Sequence, residues 1–233
     1  MRMRIGGLQK VTLLDYPGKV ACTVFLPGCN LRCPFCHNPA LVLPDRETDS
    51  LSTEELLAFL ETRRGKLDGV CVTGGEPTLY EDLPALLRQI RGLGFAVKLD
   101  TNGCDPARLA EILNQGLVDY VAMDVKNAPA RYAETVGIPG FNPAPVEESI
   151  RLLRKSTVDY EFRTTLVREL HRPEDLDAIA AWLAGAPRYY LQNFVDSGNL
   201  IGRGYHGFTA EQLQGFAERV RPFFGAVELR GID

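Results

Sequence analysis

Cys29, Cys33 and Cys36 fall within one stretch of eight residues, a crowding of soft thiolate donors that points to metal ligation. A 4Fe-4S cluster is held by four cysteines. The loop Pro27-Gly28-Cys29-Asn30-Leu31-Arg32-Cys33-Pro34-Phe35-Cys36-His37-Asn38 brings three together, which leaves one iron without a cysteine. The competing chemistry is a structural zinc site with His37 as fourth ligand, since zinc accepts a Cys3His set. Zinc sites usually draw their ligands from two separated knuckles, whereas here all four would come from nine consecutive residues.

Other chemistry-bearing residues sit in Thr73-Gly74-Gly75-Glu76-Pro77, Asp100-Thr101-Asn102-Gly103, Asp124-Val125-Lys126, Arg163-Thr164 and at Asn193. Each ends a short apolar or β-branched run. Such runs predict strands at Val20–Phe25, Gly69–Thr73, Ala96–Asp100, Tyr120–Asp124, Tyr160–Thr164 and Tyr189–Asn193. Helical periodicity predicts helices at Thr53–Arg63, Leu83–Leu93, Pro106–Gln115, Val146–Lys155 and Pro173–Ala184. The alternation implies an α/β fold with a parallel sheet, here a partial (βα)6 TIM-like barrel open on one side. Ligands of parallel sheets bind outside the carboxyl ends of the strands, so these polar residues belong to one site. Taken singly each has a plainer role: Gly-Gly-Glu-Pro as an ordinary turn, Asp100 as a turn cap, Asp124 and Lys126 as a solvated pair, Arg163 as a rim ion pair. Their joint placement favours the site.

The 233 residues suffice for one sizeable core, and 45% hydrophobic with 24% charged residues is a globular composition. One domain spanning 1–233 is expected. Lys and Arg are scattered in a chain of net charge -4, which argues against a nucleic-acid partner. No apolar run approaches a membrane span and the first ten residues hold no apolar signal core, so a cytoplasmic protein is expected. Cys22 and Cys71 fall within strands and should pack as small hydrophobes. Cys104 has no second cysteine beside it, which argues against a second cluster. His171 and His206 lie in polar stretches and should be exposed or locally bonded.

The CxxxCxxC loop, with the aromatic Phe35 just before its third cysteine, resembles the signature of the radical S-adenosylmethionine superfamily, and Gly74-Gly75-Glu76 resembles that superfamily's GGE motif. The resemblance implies that the amino and carboxylate groups of S-adenosylmethionine chelate the open iron, the GGE backbone lying against the amino group. Leu99-Asp100-Thr101-Asn102-Gly103, Met123-Asp124-Val125-Lys126 and Phe162-Arg163-Thr164-Thr165 are similar to strand signatures of glycyl-radical-enzyme activases. By that likeness Lys126 meets the S-adenosylmethionine carboxylate and Asp100 and Asp124 line the site around a monovalent cation. Phe35, His37, Asn102, Arg163 and Asn193 complete the implied cofactor-binding set, with no catalytic side chain beyond the cluster. Gly7-Leu8-Gln9-Lys10, Leu14-Asp15-Tyr16-Pro17-Gly18 and Phe25 to Cys29 resemble most the activating proteins of anaerobic ribonucleoside-triphosphate reductase. The implied partners are that glycyl-radical enzyme and an electron donor such as flavodoxin or ferredoxin. Pyruvate formate-lyase-activating enzymes tend to carry a histidine where this chain has Leu191-Gln192-Asn193-Phe194. A radical enzyme acting on a small metabolite is the rival within the superfamily.

Overall fold

The computed structural model describes residues 3–42 and 50–232. Ten strands run along the chain: β1 (Arg4–Ile5), β2 (Gly7–Thr12), β3 (Ala21–Leu26), β4 (Leu51–Ser52), β5 (Gly69–Gly74), β6 (Ala96–Thr101), β7 (Tyr120–Asp124), β8 (Asp159–Leu166), β9 (Arg188–Asn193) and β10 (Ala226–Arg230). Eight of them form one sheet in the spatial order β10-β9-β8-β7-β6-β5-β3-β2, while β1 and β4 pair separately. From β3 to β10 every neighbour is parallel, and β2 lies antiparallel against β3. The six expected strands are all present within two residues of their predicted ends. The sheet adds a seventh parallel strand, β10, and the antiparallel edge β2. Among the described residues no pairing joins β2 to β10, so the curved sheet remains an open α/β barrel.

Parallel neighbours require crossovers, and helices supply them: α1 (Pro39–Val42), α2 (Thr53–Glu61), α3 (Leu83–Gly92), α4 (Pro106–Asn114), α5 (Tyr132–Val136), α6 (Ala144–Lys155), α7 (Pro173–Leu183) and α8 (Ala210–Val220). Their starts are written locally. Ser52 accepts from the Glu55 amide while Glu55 reaches back to Ser52, a reciprocal cap for α2. Asp105 accepts from the Arg108 amide ahead of Pro106 at α4. The sequence reading missed α8, although Thr209 and Gln212 form the same capping box there. Among the described residues no helix is long and apolar enough to cross a membrane.

The core lies between the sheet's outer face and these helices. Val97 and Leu99 of β6, Val121 and Met123 of β7, and Phe162 of β8 pack there with Leu87, Ile90, Leu109, Ile112 and Ile150. Side chains alternate along a strand, so the intervening residues face the barrel interior. Many of those residues are polar, Lys98 and Asp100 on β6 and Glu161, Arg163 and Thr165 on β8, while Ala122 of β7 packs with Tyr16, Ala21 and Tyr120 in a small separate cluster. Glu161 is fully buried and accepts from Tyr120 Oη at 2.7 Å. Aliphatic packing therefore holds the fold from outside, leaving the inner face to carry charge. Leu99→Ala should accordingly lower stability by about 2–5 kcal/mol, read as a fall in the urea midpoint of the apoprotein.

Candidate active site at the carboxyl ends of the strands

The cysteine loop follows β3, and the turn after β5 fixes where it begins. Leu26 O accepts from Gly75 N–H at 2.8 Å and Gly28 O from Glu76 N–H at 2.8 Å. Between them, Pro27 O accepts from Tyr80 Oη at 2.6 Å. The two backbones lie so close that a Cβ on Gly75 would stand 1.9 Å from Gly28 O. Gly74 has a φ of 124°, and a Cβ there would stand 2.3 Å from Leu26 O. Both glycines are thus required by chain-to-chain contact, and Gly74 also by its positive φ.

The Glu76 carboxylate is held by neighbouring donors. Its Oε1 accepts from Thr78 N–H, Thr78 Oγ1 and Thr101 Oγ1, and its Oε2 from Asn102 N–H at 2.6 Å. Although its carboxylate borders the cavity, these donors occupy it and tie the end of β5 to the end of β6. Burial pushes its pKa up, against those hydrogen bonds. Asn102 carries the brace onward: its Nδ2 donates to Asn30 Oδ1 at 2.8 Å in the cysteine loop and its Oδ1 accepts from Cys104 N–H at 2.9 Å.

The loop is held on its other sides as well. Arg32 N–H donates to Val136 O at 2.9 Å and Gly202 N–H to Pro34 O at 2.7 Å. His37 stacks on Phe194 with ring centroids 5.2 Å apart, and its Nε2 donates to Val195 O at 2.8 Å. Phe35 meets the same Phe194 edge-on at 6.4 Å. Cys33 is buried and Cys29 and Cys36 half-buried, all three lining a cavity of about 230 Å³. Burial pushes the free Cys33 thiol up to about 12, so loading a metal must release its proton.

On β6, β7 and β8 a ladder of charge borders the same cavity. Lys98 pairs with Asp100 Oδ1. Arg163 bridges Asp100 Oδ2 at 3.1 Å and Asp124 Oδ1 at 2.9 Å. Lys126 Nζ closes the ladder on Asp124 Oδ2 at 3.1 Å. The ladder itself counts three cations to two carboxylates, and the Glu161 carboxylate also acts on Arg163. For Asp124, burial pushes the pKa up, but the charges of Arg163 and Lys126 outweigh it and hold the carboxyl well below its ordinary range. Asp100 is lowered in the same way, burial being overcome by Arg163 and Lys98. For Lys126 burial pulls the pKa down, and Asp124 more than reverses it.

The expected set, Phe35, His37, Gly74, Gly75, Glu76, Asp100, Asn102, Asp124, Lys126 and Arg163, thus borders one cavity; Asn193 does not. Its side chain is turned to the backbone of Phe208, accepting from its N–H at 2.9 Å and donating to its O at 3.0 Å. Gln192 faces the cavity instead, beside its register partner Thr165. Strict alternation from Arg163 and Tyr190 would have found both. Cys71 is buried, but its Sγ lies 3.7 Å from Lys98 Nζ and 3.8 Å from Asp100 Oδ1, so it packs against the ladder and not only among hydrophobes. His206 is exposed and bonded to Glu169. His171, expected at an exposed or locally bonded site, is 3% exposed and bonded across the fold to Lys126 O.

Residues 23–183 match the Radical SAM superfamily, and the chain belongs to it. Within that superfamily it falls among the activating enzymes of glycyl-radical enzymes. A Methanocaldococcus jannaschii protein described as a glycyl-radical enzyme activating enzyme is 33% identical over 198 residues, covering 83% of this chain and 81% of that one. The pyruvate formate-lyase-activating enzyme of Clostridium pasteurianum is 34% identical over 131 residues, 53% of this chain and 52% of that enzyme. Streptococcus suis SuiB bound to S-adenosylmethionine shares the fold at a TM-score of 0.70 and 15% identity, over 87% of this chain and 48% of SuiB. The chain therefore spans about half the length of these last two relatives. Membership of the superfamily implies a 4Fe-4S cluster and S-adenosylmethionine. The residues present suit both, with three thiols on one part of the cavity wall and a net positive ladder on another.

The ladder has a measurable pH signature. Its two carboxyls lie below the ordinary range, so their contribution to stability is complete above about pH 4 and is lost as the pH falls through their depressed values. Arg163→Gln removes their shared partner. Stability at neutral pH should fall by on the order of 3 kcal/mol, and the acid-unfolding midpoint should move to higher pH, both read by urea unfolding across the acid range.

Proposed function

We propose that this cavity binds S-adenosylmethionine beside a 4Fe-4S cluster held by Cys29, Cys33 and Cys36, and that the chain installs a glycyl radical on a partner enzyme. The observation that carries the reading is the Lys126 ammonium, held by Asp124 in one cavity with the three cysteines. An ammonium kept charged by Asp124 suits a ligand carboxylate. The chemistry the bound groups supply is one-electron cleavage of the sulfonium and removal of a glycine Cα hydrogen.

The protein's own residues position and enclose. Backbone at Gly74 and Gly75 borders the cavity without side chains to block it, and Asn102 steadies the cysteine loop beside Cys29. Arg163, bridging Asp100 and Asp124, supplies the positive charge that the resemblance assigned to a monovalent cation. Thr165 and Gln192 offer hydrogen-bonding groups to the ligand from β8 and β9. His37 and Phe35, fixed on Phe194, wall one side. The 1–233 chain acts as one domain, and the open side of the barrel is closed by the partner, which keeps water from the radical. The N-terminal likeness favours anaerobic ribonucleoside-triphosphate reductase as that partner, with flavodoxin or ferredoxin as electron donor.

Anaerobic reconstitution should load about four iron and four sulfide per chain. Cys33→Ala should abolish reductive cleavage of S-adenosylmethionine while the chain stays folded, because its core is aliphatic. One zinc and no iron would overturn the reading. Electron paramagnetic resonance of the reduced protein with S-adenosylmethionine and the reductase should show a persistent glycyl signal. Such a signal only with formate lyase would reassign the partner, and turnover of a small metabolite with neither would overturn the activase function.

A further inference from the structure

Lys126 meets a ligand only if the backbone beneath it is fixed, and the hold of β8 ends at Val125, whose N–H donates to Arg163 O at 2.8 Å and whose O accepts from Thr164 Oγ1 at 2.7 Å. β7 ends at Asp124, so the peptides at Lys126 and Asn127 find their partners elsewhere. Lys126 N–H donates to Tyr132 Oη of α5 at 3.2 Å. Lys126 O accepts from His171 Nε2 at 2.8 Å. His171 lies between β8 and α7 and is 3% exposed. Because Nε2 faces a carbonyl it carries the proton, and Nδ1 then accepts the Val167 N–H at 3.1 Å. Burial lowers the pKa of the ring, against its hydrogen bonds to backbone. One residue on, Asn127 is fully buried and its Nδ2 donates to Leu170 O at 2.9 Å and Thr135 Oγ1 at 2.8 Å. The turn at 167–171 therefore grips residues 126 and 127 from one side, as α5 does from the other.

We infer that His171 is a positioning residue for Lys126, holding the peptide after Lys126 so that its ammonium reaches Asp124 and the cavity. The inference rests on the reading of Lys126 as the group that meets the S-adenosylmethionine carboxylate. It adds a residue that touches neither cofactor yet sets where that charge stands. A buried histidine that merely satisfied its surroundings would contribute to stability and leave ligand affinity alone. Groups that orient a binding residue from behind typically change affinity by about 10-fold or more when lost.

The test compares three variants. His171→Leu removes both ring hydrogen bonds, His171→Gln keeps a donor where Nε2 stands, and Tyr132→Phe releases the preceding peptide, at Lys126 N–H, by one hydroxyl. At equal cluster content, His171→Leu should raise the Kd for S-adenosylmethionine by about 10-fold, and His171→Gln should recover most of the loss. In the apoprotein, amide exchange at Asn127 and Ala128 should quicken in His171→Leu. Should His171→Leu fail to fold, His171→Asn, which keeps a polar group near Nδ1 but is too short to reach Lys126 O, gives the same reading and should weaken binding in the same direction. Unchanged Kd in the folded variants, while Lys126→Ala weakens binding, would overturn the positioning role alone. Unchanged Kd in Lys126→Ala would overturn the site reading, and this inference with it.

Discussion

Three successive carbonyls, of Leu26, Pro27 and Gly28, are each taken by a donor from the turn after β5: Gly75 N–H, Tyr80 Oη and Glu76 N–H. Buried backbone polar groups must be paired, and here the pairing fixes the cysteine loop on the neighbouring strand's end. Contact this close leaves no room for a Cβ at Gly75. From that fit the rest of the wall follows. Glu76, placed by its own amide, turns its carboxylate to Thr101 and Asn102, and Asn102 returns to Asn30 in the cysteine loop.

The other wall is electrostatic. A closed TIM barrel fills its interior with branched aliphatic side chains, whereas this open one places Lys98, Asp100, Arg163, Asp124 and Lys126 in sequence along three strands. Taking such charges from water is costly unless each finds a partner. The ladder meets that cost by sharing: Arg163 serves two carboxylates and each carboxylate serves two cations. Since cations outnumber carboxylates by one, the arrangement is most complete when an anion joins it at the free end. Burial and charge thus make the site receptive to a carboxylate before any ligand arrives.

Much of this was legible in the sequence because parallel strands buried on one face read as short apolar runs, and because the polar residues that end them are out of place in a core. The six inner strands and five of the helices came from that pattern. The edges did not: β2 runs Gly7–Thr12 with polar Gln9 and Lys10, and β10 is the Ala226–Arg230 segment, both no shorter than β7 but too solvated to stand out. Gln192 borders the cavity and the expected Asn193 does not, because one residue's step along a strand turns the side chain to its other face. The close approach of Gly74 to Leu26 and of Gly75 to Gly28 was not legible, since it joins segments far apart in the chain. His171 was passed over for the same cause. Its partner Lys126 is 45 residues away, and no local spacing shows that a polar stretch folds inward.

Gly75→Ala tests the governing constraint, because the variant adds one methyl group at a residue whose backbone angles any amino acid tolerates. Iron and sulfide per chain after anaerobic reconstitution, with circular dichroism on the same apoprotein, is the measurement. The barrel should remain folded on its aliphatic core, while cluster content falls several-fold as the displaced Gly28 carries the cysteine loop away from β5. A folded Gly75→Ala protein that retained the full cluster and bound S-adenosylmethionine as the parent does would contradict the account.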